Sequence, residues 1–415
     1  MRRKSLLSSI DWLTVILYLL LVAMGWGSIY AAEYDGVRTQ MLDTTSNHGK
    51  QMMWILVSLG IAFIVLIVDS KFYTTFSHVI YFFVMLSLVA VLGFGTEVKG
   101  NQSWIQFGSF SIQPSEFAKF AVNLAIAKYL STLHVDLRNF RSQLICFLLL
   151  LIPMGLIVLQ GDFGSALVFS VFLLVLFREG LNPMYLIVVL IIAALSILAL
   201  VVNYAFLIGG MFLIGLLLIY ILRKNKQIIF AIATLLVFSS SYVFAVDYVF
   251  DNFLEAHHRD RVNVLLGKSG NDWNVNQSKI AIGSGGWSGK GFLNGTQTKY
   301  DFVPELSTDF IFCTIGEEHG FFGSFVVVVL LFGMLFRIIY ISERQRSRFS
   351  RIYGYGVASI LFFHVSINIG MTIGLAPVIG IPLPFFSYGG SSILSFTILL
   401  FILLKLDADR LAVLR

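Results

Sequence analysis

The chain has 415 residues, 57% apolar and 13% charged, with a net charge of +6 and a mean hydropathy of +0.85. Soluble domains carry about 25% charged residues, so half the usual charge is missing while 39 Phe must be housed. A cytosolic globular enzyme, a secreted disulfide scaffold and a disordered chain are excluded, leaving an all-α polytopic membrane protein, expected as one domain over 1–415.

A helix needs about 20 apolar residues to cross a bilayer. In chain order, spans are predicted near 12–31, 52–68, 79–95, 116–130, 143–160, 162–177, 183–202, 204–222, 227–248, 310–340, 352–375 and 387–406, about twelve in all. The first is long enough to stay in the membrane, so no cleaved leader is expected. Only Gln160-Gly161-Asp162 separates the fifth from the sixth. Cys146 and Cys313 both fall in apolar runs and read as core residues.

Lys and Arg set the orientation. With the amino terminus cytoplasmic, Arg2-Arg3-Lys4, Lys71, Arg138/Arg141, Arg178, Arg223-Lys224-Lys226, Arg344/Arg346/Arg348/Arg351 and Lys405/Arg410/Arg415 all fall inside. Both termini are then cytoplasmic. Three outer segments exceed what a connection needs: 32–51, 96–115 and the large extracytoplasmic loop 249–309. A loop that long is functional more often than not.

Charges within or beside spans mark cavities or internal pairs. Glu116 and Lys119, at i, i+3, fit either a neutralising pair or a functional cavity. Asp162 lies in an outer turn, and Arg259 and Arg261 open the long loop, suited to phosphate or to solvent. Next comes Asn276-Gln277-Ser278-Lys279 … Gly283-Ser284-Gly285-Gly286 … Gly289-Lys290-Gly291 … Gly295-Thr296-Gln297. Such glycines permit tight turns and close backbone approach, and their N–H groups could cradle an anion. The other reading is a well-turned surface loop. No nucleotide fingerprint is present.

In Asp301-Phe302-Val303-Pro304-Glu305-Leu306-Ser307-Thr308-Asp309-Phe310, Ser307 or Thr308 is expected to cap the next helix, with Asp309 in its first turn. Arg337 marks the other end, and 28 residues at 1.5 Å each give roughly 42 Å against a core of about 30 Å. Asp309 thus sits at or beyond the outer interface unless the helix bends at Gly316, Gly320 or Gly323. The Glu317-Glu318 pair follows on the same helix. Gly380-Ile381-Pro382-Leu383-Pro384-Phe385-Phe386-Ser387-Tyr388-Gly389-Gly390-Ser391-Ser392 fits an ordered re-entrant turn or tight helix packing.

Taken in order, Gln113-Pro114-Ser115-Glu116 with Lys119, Asp162-Phe163-Gly164-Ser165, Gln277 through Gly286, Thr308-Asp309-Phe310, Gly316-Glu317-Glu318 and Pro382-Leu383-Pro384 through Ser392 are specific. The sequence resembles the SEDS proteins, the RodA/FtsW membrane glycosyltransferases of bacterial cell-wall synthesis, and most closely the RodA, or elongation, branch. The family core has ten spans, so about two extra are expected around 183–248. Ser307, Ser103 and Gly161 stand where the family usually has His, Arg and Pro.

The resemblance implies a peptidoglycan glycosyltransferase that polymerises lipid II during cell-wall elongation and shape maintenance. Asp309 falls on the essential carboxylate and Asp301 on a neighbouring acidic position. Gln113, Ser115, Glu116, Lys119, Asp162, Arg259, Arg261, Lys279, Lys290 and Ser387 become the substrate-binding candidates. Asp309 would act as general base toward the acceptor hydroxyl, with cations stabilising the departing diphosphate. Mg2+ or Mn2+ is a candidate cofactor, without a recognisable metal-ligand motif. The implied partners are lipid II, membrane lipids, a class B penicillin-binding protein and the elongation machinery, and not nucleic acid. The expected location is the bacterial cytoplasmic (inner) membrane with an extracytoplasmic active site. Two rivals remain, a flippase or transporter for lipid II and a non-catalytic scaffold.

Overall fold

Helix starts follow from polar side chains at the ends of apolar runs. In the computed structural model, which describes residues 9–34, 43, 45–98, 101–108, 110–223, 225–252, 259, 273–299 and 302–411, Asp11 caps α1 (Trp12–Ala32) by accepting from the Thr14 N–H at 3.2 Å. Ser46 caps α2 (Asn47–Ile67) and Asp69 caps the short α3 (Ser70–Thr75) in the same way, satisfying amides otherwise orphaned at a helix end. α4 (Ser77–Phe94) ends at Gly95.

A small antiparallel sheet follows, β1 (Thr96–Val98), β2 (Asn101–Phe107) and β3 (Phe110–Ile112), in the order β1-β2-β3. It lies in the outer segment 96–115 and departs from the all-α expectation for the chain. The pairing Phe107↔Phe110 leaves a two-residue connection led by Gly108 at φ +61°, a geometry that hairpin loops favour. β3 delivers Gln113 to the start of α5 (Pro114–Ser131), with Pro114 in the first turn. α6 (Phe140–Leu159) ends at Gln160, whose side chain donates to Leu88 O and whose carbonyl accepts from the Gln102 N–H. Asp162 caps α7 (Phe163–Val168), and one 3-10 turn leads into α8 (Phe172–Arg178).

Residues 182–272 pack as a compact unit of their own, containing α9 (Met184–Val201), α10 (Tyr204–Ile221) and α11 (Lys226–Asn252). They are apolar all round and bury few side chains, as lipid-facing helices do. The other unit continues with α12 (Trp273–Ser284), α13 (Phe312–Glu343), α14 (Arg348–Thr372) and α15 (Gly390–Ala408). The segment 249–309 is therefore not one long loop, since α11 runs into it and α12 lies inside it.

Among the described residues, 10 helices are long and apolar enough to cross a membrane. The remaining two expected spans are α5, whose Glu116, Lys119 and Lys128 lower its apolarity, and the broken α7–α8 stretch. Within the larger unit α15 is the most enclosed helix. It packs along α2, while α14 packs along α13 and α5. Cys146 and Cys313 are buried free thiols.

α13 breaks at Gly320, at φ 62° and ψ −155°, backbone that is essentially glycine-only. The break is filled by residues 286–291. Lys290 and Gly291 N–H donate to the Glu317 and Glu318 carbonyls, and Phe321 and Phe322 N–H donate to Gly286 O and Trp287 O. A Cβ at Gly289 would collide with the Glu318 carbonyl. Residues 321–343 span roughly 34 Å at 1.5 Å each, enough alone for the hydrocarbon core. Gly320→Ala should lower the melting temperature in detergent through a strain of about 1–3 kcal/mol. Gly333→Ala, in the helix interior with open space around it, should melt at or above wild type because Ala is the better helix former.

At the far end of α13, Asp11 joins Arg337 at 2.6 Å and Arg344 at 2.9 Å, and Arg344 also holds Asp407. Burial by itself would raise the Asp11 carboxyl, but hydrogen bonds from Arg337, Thr14 and Arg344 outweigh it and hold the group at about 2. A depressed carboxyl adds stability above its unfolded value, 3.8, and loses it as pH falls toward 2. Asp11→Asn should flatten the acid dependence of the melting temperature in that interval and lower the plateau above it.

Candidate active site

Asp309 lies in the turn that precedes α13. The sequence placed it in the first helical turn behind a Ser307 or Thr308 cap, but the cap position is Ile311, with no side-chain cap. Thr308 instead donates to Glu305, at 3.2 Å to its carbonyl and 3.1 Å to Oε2. Glu305 itself is at φ 58°, strained backbone for a residue with a Cβ. The Asp309 side chain is half-buried. Its backbone carbonyl accepts from Asn368 Nδ2 at 2.9 Å, and its Oδ2 faces Gly380, where an added Cβ would stand 3.5 Å away.

Gly380 belongs to the segment between α14 and α15, and the sequence motifs converge there. Ser387 accepts from the Leu383 N–H at 2.8 Å and closes the turn, with Phe385 at φ 64° inside it. Tyr388 N–H donates to Ser307 O at 2.8 Å. The position where the family usually has His is thus tied through its main chain, independently of its side chain.

Gln113 N–H donates to Ser391 Oγ at 3.1 Å, and Gln113 Nε2 to Asp162 Oδ2 at 2.9 Å. Ser115 donates to the same oxygen at 3.5 Å. A Cβ at Gly164 would strike the Ile379 carbonyl. Gln113, Ser115, Asp162 and Ser387 are therefore brought together around the segment between α14 and α15.

Glu116 and Lys119 form the neutralising pair, with Lys119 Nζ 2.8 Å from both carboxylate oxygens and both side chains buried. The ammonium also meets His364 Nε2 at 3.2 Å and lies over the Phe396 ring at 4.5 Å. His364 Nδ1 is 3.1 Å from Pro382 O. A carbonyl only accepts, so Nδ1 carries the proton and Nε2 accepts from Lys119. Through His364 the pair thereby braces the segment between α14 and α15 at Pro382.

The glycine-rich loop does bind an anion, and the anion is Glu317. Its Oε1 accepts from the Thr296 and Gln297 N–H groups at 2.8 and 2.9 Å and from Lys290 Nζ at 2.6 Å, while Oε2 accepts from the Thr298 N–H at 2.9 Å. Lys290, expected on phosphate, is here the counter-charge of a buried carboxylate. Lys279 is exposed on α12, its ammonium packed against Gly374. Beside it Ser278 donates to Thr372 O at 2.5 Å.

Arg259 belongs to the other compact unit. Asp301 and Arg261 lie outside the described residues. No group of three His, Cys, Asp or Glu among the described residues could hold a metal ion. An apolar groove of about 320 Å3, lined by Leu174, Phe332, Phe336 and Phe362, lies toward the Glu343 end of α13, away from Asp309. Asn368 and His364 are site residues that the sequence reading passed over. Neutral polar side chains inside an apolar run, four residues apart on one helix face, were the available signal.

The model of the FtsW/RodA/SpoVE family, described as cell cycle proteins, matches residues 11–209 and 207–411. The chain is 31% identical to peptidoglycan glycosyltransferase MrdB of Escherichia coli K12 over 81% of its own length and 80% of that protein. It is 30% identical to peptidoglycan glycosyltransferase RodA of Treponema pallidum over 97% and 99%. A chain of a solved peptidoglycan synthase complex that coordinates polymerization and crosslinking aligns at 25% identity and TM-score 0.70 over 97% and 98%. RodA of Thermus thermophilus aligns at 24% and 0.64 over 97% of each chain and shares the fold. With the motifs gathered in order around one re-entrant segment and the family match spanning both halves, the chain belongs to the FtsW/RodA/SpoVE family.

Proposed function

We propose that the chain is a peptidoglycan glycosyltransferase that polymerises lipid II, with Asp309 as general base. The observation that carries this reading is the setting of Asp309. A half-buried carboxylate faces the re-entrant segment on which Gln113, Asp162 and Ser387 also converge. Asp309 takes the proton of the acceptor sugar's 4-hydroxyl, and that oxygen forms the new bond to C1 of the donor. The bond from C1 to the undecaprenyl diphosphate breaks, and the lipid diphosphate leaves with the electron pair, inverting C1. Lys279, exposed on α12 against Gly374, is the candidate cation for the departing charge, whereas Lys290 is engaged by Glu317. A divalent ion carried on the diphosphate would need only one or two carboxylates, and no step here runs through it.

Arg337 near the end of α13, Arg344 just past it and the start of α1 lie at one end of the unit, and Asp309 precedes α13 at the other. Under the positive-inside rule, the termini are cytoplasmic and Asp309 faces outward across the bacterial cytoplasmic membrane. A class B penicillin-binding protein is the expected partner, because a solved relative comes from a complex that couples polymerization to crosslinking. The likeness to RodA and MrdB favours an elongation role.

Transport of lipid II is the second reading, and the buried Glu116–Lys119 pair favours it, since such pairs line ion pathways. Here, however, the pair is closed by His364 and Ser395. Purified chain given lipid II in detergent separates the two. Glycan polymer supports the enzyme, because detergent offers no membrane to cross, and its absence under all conditions overturns the enzyme reading.

A further inference from the structure

We infer that Asn368 is a positioning residue for Asp309, holding the catalytic turn and the re-entrant segment at a fixed separation with one buried amide. The inference rests on the reading of Asp309 as the base. Asn368 Nδ2 donates to Asp309 O at 2.9 Å and to Ile381 O at 2.8 Å, and the side chain is 0% exposed. Both neighbours are carbonyl oxygens, so only the NH2 side of the amide can face them, and its two hydrogens are both used.

Ile381 directly follows Gly380, the residue that Asp309 Oδ2 faces. The same amide thus fixes the main chain on each side of the gap in which the carboxylate stands. His364, one turn earlier on α14, holds the next carbonyl, Pro382 O, at 3.1 Å. α14 therefore grips two consecutive carbonyls of the re-entrant segment, and only Asn368 also reaches the catalytic turn.

Asn368 Oδ1 is buried without a hydrogen-bond partner, a destabilising state that an apolar residue of similar shape does not incur. Asn123 on α5 carries the same unpartnered oxygen, so what sets Asn368 apart is its pair of donors, one to Asp309 O and one to Ile381 O. Misplacement of a reacting group by about 1 Å can cost on the order of 100-fold in rate, so the grip is expected to show in turnover.

The test compares purified full-length Asn368→Ala, Asn368→Asp and Asn368→Ser with lipid II in detergent, reading kcat, KM, the pH profile of kcat and the melting temperature. Asn123→Ala is the control, an equally buried amide that donates to Tyr353 O at 2.9 Å, about 22 Å along α14 from Asn368. Asn368→Ala and Asn368→Asp should lose at least tenfold in kcat with KM within twofold and a displaced acid limb. Asn368→Ser, which keeps one donor, should fall between them and wild type. The melting temperatures should drop no further than that of Asn123→Ala.

Wild-type kcat in Asn368→Ala, or activity lost only in step with melting temperature and with an unchanged pH profile, overturns the inference. Full turnover by Asp309→Asn would instead bring down the base reading and this inference with it. An inactive Asp309→Asn beside a fully active Asn368→Ala would sink this inference alone.

Discussion

Asp309→Asn should retain the fold and lipid II binding but lose polymerisation by about 100- to 10,000-fold, the usual contribution of a general base. The amide is isosteric with the carboxylate, and the contact to Asn368 runs through the backbone carbonyl, so the turn keeps its place. What is lost is the ability to accept a proton from the attacking hydroxyl. That interaction exists only in the transition state, so kcat and kcat/KM should fall together while KM stays near wild type. Asp309→Glu keeps the charge but carries it one methylene further, toward the Gly380 main chain that Oδ2 faces. It should recover part of the rate and no more, because placement governs a base as much as basicity. Initial rates on lipid II at saturating concentration measure both variants.

Glu317→Gln should be the most destabilising single substitution of those considered. The Glu317 carboxylate is 0% exposed and accepts from Lys290 and from three successive backbone N–H groups at Thr296, Gln297 and Thr298. An amide turns an NH2 toward donors and leaves the Lys290 charge without its partner. Removing one member of a buried ion pair costs about 3–5 kcal/mol. The loop it anchors also fills the break in α13 at Gly320, so its release unpairs helix carbonyls as well. A lower melting temperature and faster proteolysis within 285–299 are the expected results. Glu318→Gln should cost less, since Glu318 accepts from backbone amides, the Leu293 N–H at 3.1 Å and that of Gly295, and forms no ion pair among the described residues. If Glu317→Gln melts with wild type, the carboxylate is not the anchor of the loop.

Hydropathy made the helices legible because lipid imposes one solution on the backbone. Two spans were blurred for physical reasons. α5 carries a buried ion pair that neutralises itself, and α7–α8 is broken just after the Asp162 cap. The bend at Gly320 was one of three glycines named in advance, and only the structure shows which one the loop enters. The glycine-rich loop revealed its donors but not its acceptor, because Glu317 is some twenty residues away and on another element. The small sheet had a cue in Gly108-Ser109 between Phe107 and Phe110, but strands that short lie beneath the noise of local pattern. His364 and Asn368 stayed hidden because their importance comes from the carbonyls opposite them, which no sequence displays.

On the proposed reading this chain makes glycan polymer itself, with the Asp309 carboxylate as the base. The most direct measurement is a gel of lipid II products from purified wild-type and Asp309→Asn protein in the same detergent, matched for folded protein by melting temperature and for lipid II bound. Polymer from wild type and none above background from Asp309→Asn is the predicted result. Polymer of equal length and yield from both would contradict the claim.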